Sequence, residues 1–414
     1  MSNSTSVNTK KRRFFYGYIV VVAAFFVMAI VWGTAQTFGV FFKPMLSDFG
    51  WTRAAISGAA SLSIAIYAVL SIVVGKLTDR FSPRLLVSVC GAAMGVGYIL
   101  MSQVNAIWQV YLAYGVLVGI GTGGSFVPSA TAVARWFVKR RGLMTGIFAS
   151  GVGAGLVLMP PIANLTISTY GWRTSFLILG IVSLVGTIVP ARFLRREPAE
   201  MGLKPYGEDE VKKENLVPIE EYSGGEATRT RQLWLLVISY ICFGFSQQAI
   251  MVHIVPHATD LGISTFVAAN IMSVIGGLHI AGKIGIGGIC DKIGSKSALI
   301  ISFSIIVASM FLLMLAKEAW MFYLFAIIFG FAYGGIAALI SPVVAELFGL
   351  RTHGPLLGVV TCAWGVGATL GPIMAGHIFD ASNNYFQAFL VSTLLSILGL
   401  ALVSLLKPTR MRKN

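Results

Sequence analysis

Charged side chains are scarce in this 414-residue sequence, in which Asp, Glu, Lys and Arg together make up 11%. A soluble domain carries about 25% of such residues. Hydrophobic residues reach 56% of the chain, and the mean hydropathy is +0.81. This composition excludes water as the main solvent around the folded chain.

Several chemical signatures are also absent. The four cysteines lie far apart without paired spacing, which indicates neither a disulfide framework nor a metal site. The sequence has no Gly-x-x-x-x-Gly-Lys-Ser/Thr loop, which excludes an ATP-driven pump of that type. Because no apolar run holds a carboxylate pair, a metal cluster or a nucleophile with its base, we predict that the chain is not an enzyme and binds no metal.

Long apolar runs are what the sequence has in abundance. In hydrocarbon every backbone amide must be satisfied internally, which leaves helices or closed barrels, and these runs show no alternation with period two. A spanning helix needs about 20 apolar residues. The first run lacks a signal-peptide cleavage site, so we expect it to be retained. We predict an all-α membrane protein with twelve spans, numbered in order: 15–42, 54–76, 84–104, 108–134, 143–168, 174–194, 232–258, 265–289, 297–316, 320–346, 355–379 and 385–406.

Basic residues are concentrated in alternate loops. If both termini are cytoplasmic, 26 of the 31 Lys and Arg residues fall on the inner side, as the positive-inside rule requires. Anionic lipid headgroups explain the formal charge of +15 without nucleic acid as a partner. We therefore predict a multi-pass protein surrounded by the lipid bilayer, with both termini cytoplasmic. We also expect it to lie in a bacterial cytoplasmic membrane and to function as a monomer.

The acidic residues mark the middle of the chain. Nine of the 16 lie between positions 197 and 231, mixed with Lys and Arg, and such a segment buries too little apolar surface to order itself. We interpret it as a cytoplasmic linker. The predicted organisation is a tail, a six-helix bundle, the linker, a second six-helix bundle and a tail, at 1–14, 15–196, 197–231, 232–406 and 407–414.

The two bundles repeat each other. The pattern Gly-x-x-x-Asp-basic occurs at Gly75 and again 212 residues later at Gly287. Two glycine patterns, in spans 4 and 5, recur in spans 10 and 11. Such parallel six-helix repeats, with a site between them at midplane depth, are the architecture of the major facilitator fold. The sequence therefore predicts two pseudo-symmetric six-helix bundles.

The repeated acidic element suggests a cytoplasmic gate. Glycine lets the end of a span approach a neighbouring helix closely, and the carboxylate can pair across the seam in one access state and separate in the other. A plain solvated turn is the alternative interpretation. The predicted gate residues are Asp79, Arg80, Arg140, Arg141, Asp291 and Lys292.

Three segments resemble the monocarboxylate transporter family, and the chain is also similar to oxalate/formate antiporters. They are the start and end of span 1 (16–18 and 37–57), the loop 135–146, and span 8 from His279 through Lys283 to Asp291. The resemblance implies proton-linked or exchange transport of lactate- or pyruvate-like anions, without a cofactor. Where animal members carry a lysine, this chain has Gln36. Where they carry an aspartate and an arginine four residues apart, it has His279 and Lys283.

Lys283 is the only lysine or arginine deep within a predicted span, and no Asp or Glu lies near the middle of any span. An ionisable residue within the membrane is a functional-site hypothesis. An unpaired buried lysine loses its proton more readily than it stays charged alone, so an anionic substrate is the simplest partner. The alternative is that Lys283 snorkels to the cytoplasmic interface.

Further candidates surround this lysine. His279 lies one turn earlier on the same helix face, and the imidazole suits proton exchange, although a neutral, hydrogen-bonded histidine is an equal alternative. Gln36, Trp32 and Tyr333 are predicted to line the pocket. The proton-coupling candidates are His279, Lys283 and, nearer the outside, His253.

The sequence leaves three functions to compare. The first is secondary transport of a small monocarboxylate by alternating access, with a proton. The second is exchange of organic anions of the oxalate/formate type, which needs no proton site. The third, a transporter-like nutrient sensor, is disfavoured because the linker and tails are too short for the added cytoplasmic domain of most sensors.

Overall fold

A computed structural model describes residues 15–51, 53–208, 224–382 and 384–407. The predicted tail 1–14, residues 209–223 of the predicted linker and residues 408–414 of the second tail lie outside the described residues. Apart from one isolated bridge between Phe137 and Tyr206, the regular structure of the described chain is helical. This confirms the predicted all-α class.

The long helices follow the predicted spans in order. Short helical segments at Pro198–Met201 and Gly224–Thr228 flank the undescribed part of the linker. The spans are formed by Gly17–Ala35 and Phe38–Phe49, Arg53–Leu77, Pro83–Met101, Ile107–Trp136, Arg141–Ala191, Arg231–Asp260, Thr265–Ile293, Ser295–Leu315, Ala319–Phe348, His353–Ser382 and Tyr385–Ser404.

Eleven helices in the described chain are long and apolar enough to cross a membrane. The segment Arg141–Ala191 has 51 residues, which as one straight helix would be about 77 Å long and more than twice the hydrocarbon thickness. Its backbone leaves helical geometry at Gly171, where φ is 79° and ψ is 161°. The helix therefore contains two spans, the predicted spans 5 and 6, and the count becomes twelve.

Local sequence explains several helix ends. Ser82 accepts a hydrogen bond from the amide of Leu85, with Pro83 in the first helical position. Thr230 and Ser264 cap the helices of spans 7 and 8 in the same way. Such caps satisfy amides that have no partner within the helix. In span 4, the segment Tyr111–Val118 is a π-helix, which no sequence signal indicated.

The outer surface of the bundle is apolar. Leu165 is 66% exposed, Leu315 is 68% exposed and Val69 is 64% exposed. Contiguous apolar surface of this kind is unfavourable in water and suits a hydrocarbon surround. The exposure pattern therefore agrees with a membrane-embedded bundle.

Spans 1–6 pack mainly with one another, as do spans 7–12, and two helix pairs form most of the contact between these halves. Spans 2 and 11 form the first seam, and spans 5 and 8 form the second seam. We call the end of the molecule that carries Asp79, Arg135, Arg141 and Asp291 the basic end. The halves thus meet through two seams related by the internal repeat.

Both seams are closed at the basic end by glycine. A Cβ on Gly75 would lie 2.6 Å from the carbonyl oxygen of Gly354 in the first seam. A Cβ on Gly142 would lie 2.4 Å from the carbonyl oxygen of Gly287 in the second seam. Farther along span 8, a Cβ on Gly276 or Gly277 would meet no described atom within 4 Å. At the basic end, both seams thus bring backbones of the two halves into direct contact.

Candidate functional site

A cavity of about 380 Å³ lies between the two halves. Both halves contribute to its walls, which are mainly apolar and aromatic. The predicted site residues Trp32, Gln36, His279, Lys283 and Tyr333 all line it. Residues from spans 1, 8 and 10 are thus brought together around one space, although they are far apart in the sequence.

Lys283 lies in the wall of this cavity and is only 3% exposed. Its Nζ atom donates a hydrogen bond to the carbonyl oxygen of Ala149 in span 5, at 2.8 Å. In the described chain no carboxylate lies within ion-pairing distance of Lys283, and it is the only lysine or arginine that lines this cavity. The contact with a neutral carbonyl leaves the ammonium charge without a counter-charge.

The snorkelling alternative for Lys283 is not the geometry observed. Ala149 lies seven residues into span 5 from Gly142, about 10 Å along the helix from the basic end. The lysine side chain bonds at that depth. The ammonium group therefore stays near the cavity.

His279 lies one turn from Lys283 and is 2% exposed. Its ring stacks on Tyr333, with centroids 4.1 Å apart and an angle of 18° between the planes. Neither ring nitrogen has a hydrogen-bond partner among the described residues. Buried polar atoms normally have such partners, so the histidine is placed to bond a ligand or exchange a proton.

A glutamine and a tryptophan that the sequence reasoning missed join this wall. The indole Nε1 of Trp364 donates to Gln247 Oε1 at 2.8 Å. Gln247 Nε2 donates to the hydroxyl of Tyr333 at 3.1 Å and to Gln248 Oε1 at 2.8 Å. The sequence signal for this part of the wall is the pair Gln247 and Gln248 inside an apolar span. Glutamine is not ionisable, so the search for charged groups within the spans does not find it.

Trp32 and Gln36 form part of the opposite wall, in the first half. The ring centroids of Trp32 and Tyr67 are 5.2 Å apart, edge to face. The buried Nε1 atom of Trp32 has no partner in the described chain. Gln36 follows the helix Gly17–Ala35 and is exposed to the cavity. Both side chains can donate hydrogen bonds toward the space between the halves.

His253 is placed differently from the other proton candidates. It does not belong to the lining of the cavity. Its Nδ1 atom lies 3.3 Å from the hydroxyl of Tyr385, and its Nε2 atom lies 3.1 Å from the carbonyl oxygen of Pro372. The structure therefore does not bring His253 together with Lys283.

The two predicted gate aspartates make different contacts at the basic end. Asp79 Oδ1 accepts from Arg135 Nη2 at 3.1 Å, which is a salt bridge within the first half. Burial raises the pKa of Asp79 above the usual carboxyl range, while Arg135 acts in the opposite direction. Asp291 reaches across the second seam and accepts from the amides of Gly142 and Leu143, at 2.6 and 2.9 Å.

The predicted basic gate residues do not all make contacts across the halves. Arg141 Nε donates to the carbonyls of Ala134 and Phe137. Arg80, Arg140 and Lys292 are exposed. Arg140 has a left-handed backbone, with φ of 63° directly before the helix of span 5. Arg140 and Arg141 therefore belong to the loop after span 4, where Arg141 bonds two backbone carbonyls.

A buried histidine that was not predicted also bridges the halves at the basic end. His353, at the start of span 11, has its Nδ1 atom 3.2 Å from Thr131 Oγ1 in span 4. Its Nε2 atom lies 3.2 Å from Ser341 Oγ in span 10. The bridge depends on how three spans pack, which the sequence does not reveal.

Comparison with known proteins gives the family. The model of the Major Facilitator Superfamily matches residues 21–319 and 236–414, which together cover nearly the whole chain. The chain belongs to this superfamily. It is therefore a multi-pass membrane transporter and not an enzyme.

The similar proteins agree with this assignment. Monocarboxylate transporter 13 of Rattus norvegicus is 27% identical over 392 residues, covering 91% of this chain and 86% of that protein. The oxalate:formate antiporter of Oxalobacter formigenes is 26% identical over 402 residues, covering 96% and 92%. This major facilitator transporter is thus related to carriers of both kinds.

Solved structures confirm the fold. A proton:xylose symporter bound to 6-bromo-6-deoxy-D-glucose matches 95% of this chain and 97% of its own, with a TM-score of 0.70 and 16% identity. The transporter FucP in the outward conformation matches 95% of this chain and 100% of its own, with a TM-score of 0.71 and 13% identity. At these identities the likeness concerns the fold alone.

Proposed function

We propose that this transporter moves a small monocarboxylate of the lactate or pyruvate kind across the membrane, together with a proton. The observation that carries the proposal is Lys283, a buried cation in the wall of the cavity between the halves. A carboxylate would supply the counter-charge that its carbonyl partner lacks. The names of the monocarboxylate transporters among its relatives support the same substrate class.

The two seams support alternating access. The halves touch at the basic end, and the cavity lies farther along. With both termini cytoplasmic, this arrangement faces outward. A substrate anion would bind at Lys283, the halves would then close beyond the cavity, and the seams would separate at the basic end. The carrier acts as a monomer in a bacterial cytoplasmic membrane.

The proton would travel close to the substrate. In the described chain no carboxylate lines the cavity, which leaves His279, Lys283 or the substrate itself as carriers. His279 is the best placed, because its ring nitrogens are buried beside Lys283 without partners in the described chain. His253 is a weaker candidate, since its nitrogens already contact Tyr385 and Pro372.

Organic-anion exchange is the second candidate. The oxalate:formate antiporter supports it, with 26% identity over 96% of this chain. Exchange needs no proton site, because one anion leaves as another enters. The cavity wall argues against a dicarboxylate as cargo, because Lys283 is the only lysine or arginine among its described lining residues.

Uptake into proteoliposomes tests the proposal. The purified protein would be offered labelled pyruvate, lactate, propionate and oxalate, with and without an imposed inward proton gradient. Accumulation of pyruvate or lactate that requires the gradient supports symport. Exchange of internal for external anion without any response to the gradient supports the antiport alternative. Transport of none of these acids would refute both.

The same assay locates the proton carrier. His279→Gln keeps a side chain of similar size but cannot take up a proton at physiological pH. We expect this variant to lose gradient-driven accumulation while it still exchanges labelled for unlabelled substrate. Full accumulation by His279→Gln would show that the histidine is structural and make Lys283 the stronger candidate.

A further inference from the structure

The hydrogen-bond chain behind Tyr333 has a fixed direction. An indole N–H can only donate, so the atom of Gln247 that faces Trp364 must be its carbonyl oxygen, at 2.8 Å. The amide nitrogen of Gln247 then points the other way. It donates to Tyr333 and to Gln248. Trp364 thus sets the orientation of the whole chain.

This direction determines what Tyr333 and Gln248 can offer to a ligand. The Tyr333 oxygen accepts from Gln247, and in the described chain this is the only hydrogen bond of that hydroxyl. Its own hydrogen is therefore left to donate. The carbonyl oxygen of Gln248 is similarly occupied by Gln247, which leaves the N–H groups of Gln248 as donors. Both residues line the cavity.

We propose that Gln247 and Trp364 are positioning residues that turn the Tyr333 hydroxyl into a donor for an acceptor oxygen next to the substrate carboxylate. This inference rests on the proposed function. Lys283 binds the carboxylate, and the Tyr333 ring lies stacked on His279, one turn away. A 2-oxo or 2-hydroxy acid carries such an oxygen, whereas an unsubstituted acid of the same size does not.

The selection follows from the cost of an unpaired polar group. A buried donor that loses its partner costs more than the net gain of a hydrogen bond. Once the halves have closed around the substrate, propionate would leave the Tyr333 hydroxyl unsatisfied, whereas pyruvate would accept its hydrogen. We therefore expect the carrier to favour pyruvate over propionate by about fivefold or more in KM.

The test measures KM for labelled pyruvate and labelled propionate in proteoliposomes. Tyr333→Phe removes the donor, and Gln247→Met removes the group that orients it. Each variant should reduce the pyruvate preference about fivefold, mainly by weakening pyruvate binding. The double variant Tyr333→Phe/Gln247→Met should reduce the pyruvate preference no further than Tyr333→Phe alone, because both changes act through one hydroxyl. Trp364→Phe, which loses the indole N–H and part of the ring system but keeps an aromatic side chain, should act like Gln247→Met.

Tyr240→Phe is the matched control. Tyr240 also lines the cavity, but its hydroxyl already donates to the carbonyl oxygen of Ile336, at 3.1 Å. Its removal should leave the ratio of the two KM values unchanged, whatever it does to stability.

The outcomes separate this inference from the proposed function. An equal preference of the wild type for both acids would overturn the inference while leaving monocarboxylate transport intact. The inference is overturned in the same way if Gln247→Met and Trp364→Phe keep the wild-type ratio, or if the double variant loses more than Tyr333→Phe. Failure of the wild type to transport either acid would overturn the proposed function and this inference with it.

Discussion

The two seams are built on the same backbone pattern but carry different side chains. In the first seam, a Cβ on Gly358 would lie 2.3 Å from the carbonyl oxygen of Ser71. In the second seam, a Cβ on Gly146 would lie 2.1 Å from the carbonyl oxygen of Lys283. Positions related by 212 residues therefore make the same contact. The pairs are Ser71 and Lys283, Gly75 and Gly287, Gly142 and Gly354, and Gly146 and Gly358.

The side chains at the first of these pairs, Ser71 and Lys283, differ in charge. The Ser71 hydroxyl donates to the carbonyl oxygens of Ala68 and Gly358, at 2.7 and 3.0 Å, and brings no charge into the seam. Lys283 also bonds a backbone carbonyl, but it places an ammonium group beside the cavity. The repeated backbone closes both seams, whereas the anion affinity that we propose for the second seam rests on a single side chain.

The acidic residues of the two seams differ as well. Asp79 is held by Arg135 of its own half. Asp291 accepts from two amides at the start of span 5, in the other half. A carboxylate is stabilised at a helix N-terminus by the amides and the helix dipole. The aspartate of the second seam thus bonds the opposite half, whereas the aspartate of the first seam forms an ion pair within its own half.

The largest expected effect is that of Lys283→Gln on uptake, compared with a substitution at the equivalent position of the first seam. Losing one partner of a buried charge pair costs about 2–5 kcal/mol, so we expect monocarboxylate uptake to fall by about two orders of magnitude or more. Lys283→Arg should retain part of the activity, because the charge remains while the donor geometry changes. The measurement is initial uptake by proteoliposomes with equal amounts of inserted protein.

Ser71→Ala is the control at the equivalent position of the first seam. It removes a hydrogen bond worth about 1 kcal/mol and no charge. Uptake within a few-fold of the wild type is expected. Normal uptake by Lys283→Gln, or equal losses in the two variants, would refute the functional asymmetry of the seams.

Composition and repetition were enough to predict the fold. The twelve apolar runs gave the spans, and the spacing of Gly75 and Gly287 predicted the repeat that the seams display. The direct junction of spans 5 and 6 at Gly171 was not predicted, because a glycine between two apolar runs indicates a loop as readily as a sharp bend. The π-helix in span 4 has no sequence signature at all.

The prediction of the candidate site started from its one charged residue. Lys283 was evident as a lone cation within an apolar run, and His279 followed from its position one turn away. Gln247 and Trp364 became visible only through their hydrogen bond between spans 7 and 11. Neutral polar groups are common inside membrane bundles, so their roles depend on packing and not on sequence spacing.

Alanine at the paired glycines tests whether both seams depend on the same close approach of helix backbones. Gly146→Ala and Gly358→Ala would each place a methyl group within 2.1–2.3 Å of a backbone carbonyl oxygen in the opposite helix. In each variant the altered seam could not close as observed. Uptake should therefore fall about tenfold in both variants, with substrate selectivity unchanged. The lining glycine Gly39 meets no described atom within 4 Å of its Cβ, and Gly39→Ala is the control. A loss in only one of the two seam variants would contradict the equivalence of the backbones.

The smallest expected difference concerns the two aspartates, and it tests whether a bond between the halves controls turnover. Asp291→Asn keeps one acceptor oxygen but removes the charge that holds two amides of the opposite half. It should destabilise the state closed at the basic end and reduce the transport rate several-fold, while KM changes little. Asp79→Asn weakens a pair within one half and should reduce the rate less.

Rates would be measured at saturating pyruvate, and KM from the concentration dependence. If Asp79→Asn slowed transport more than Asp291→Asn, the first seam would control the conformational change. If either variant raised KM at an unchanged rate, its aspartate would instead act on the substrate site.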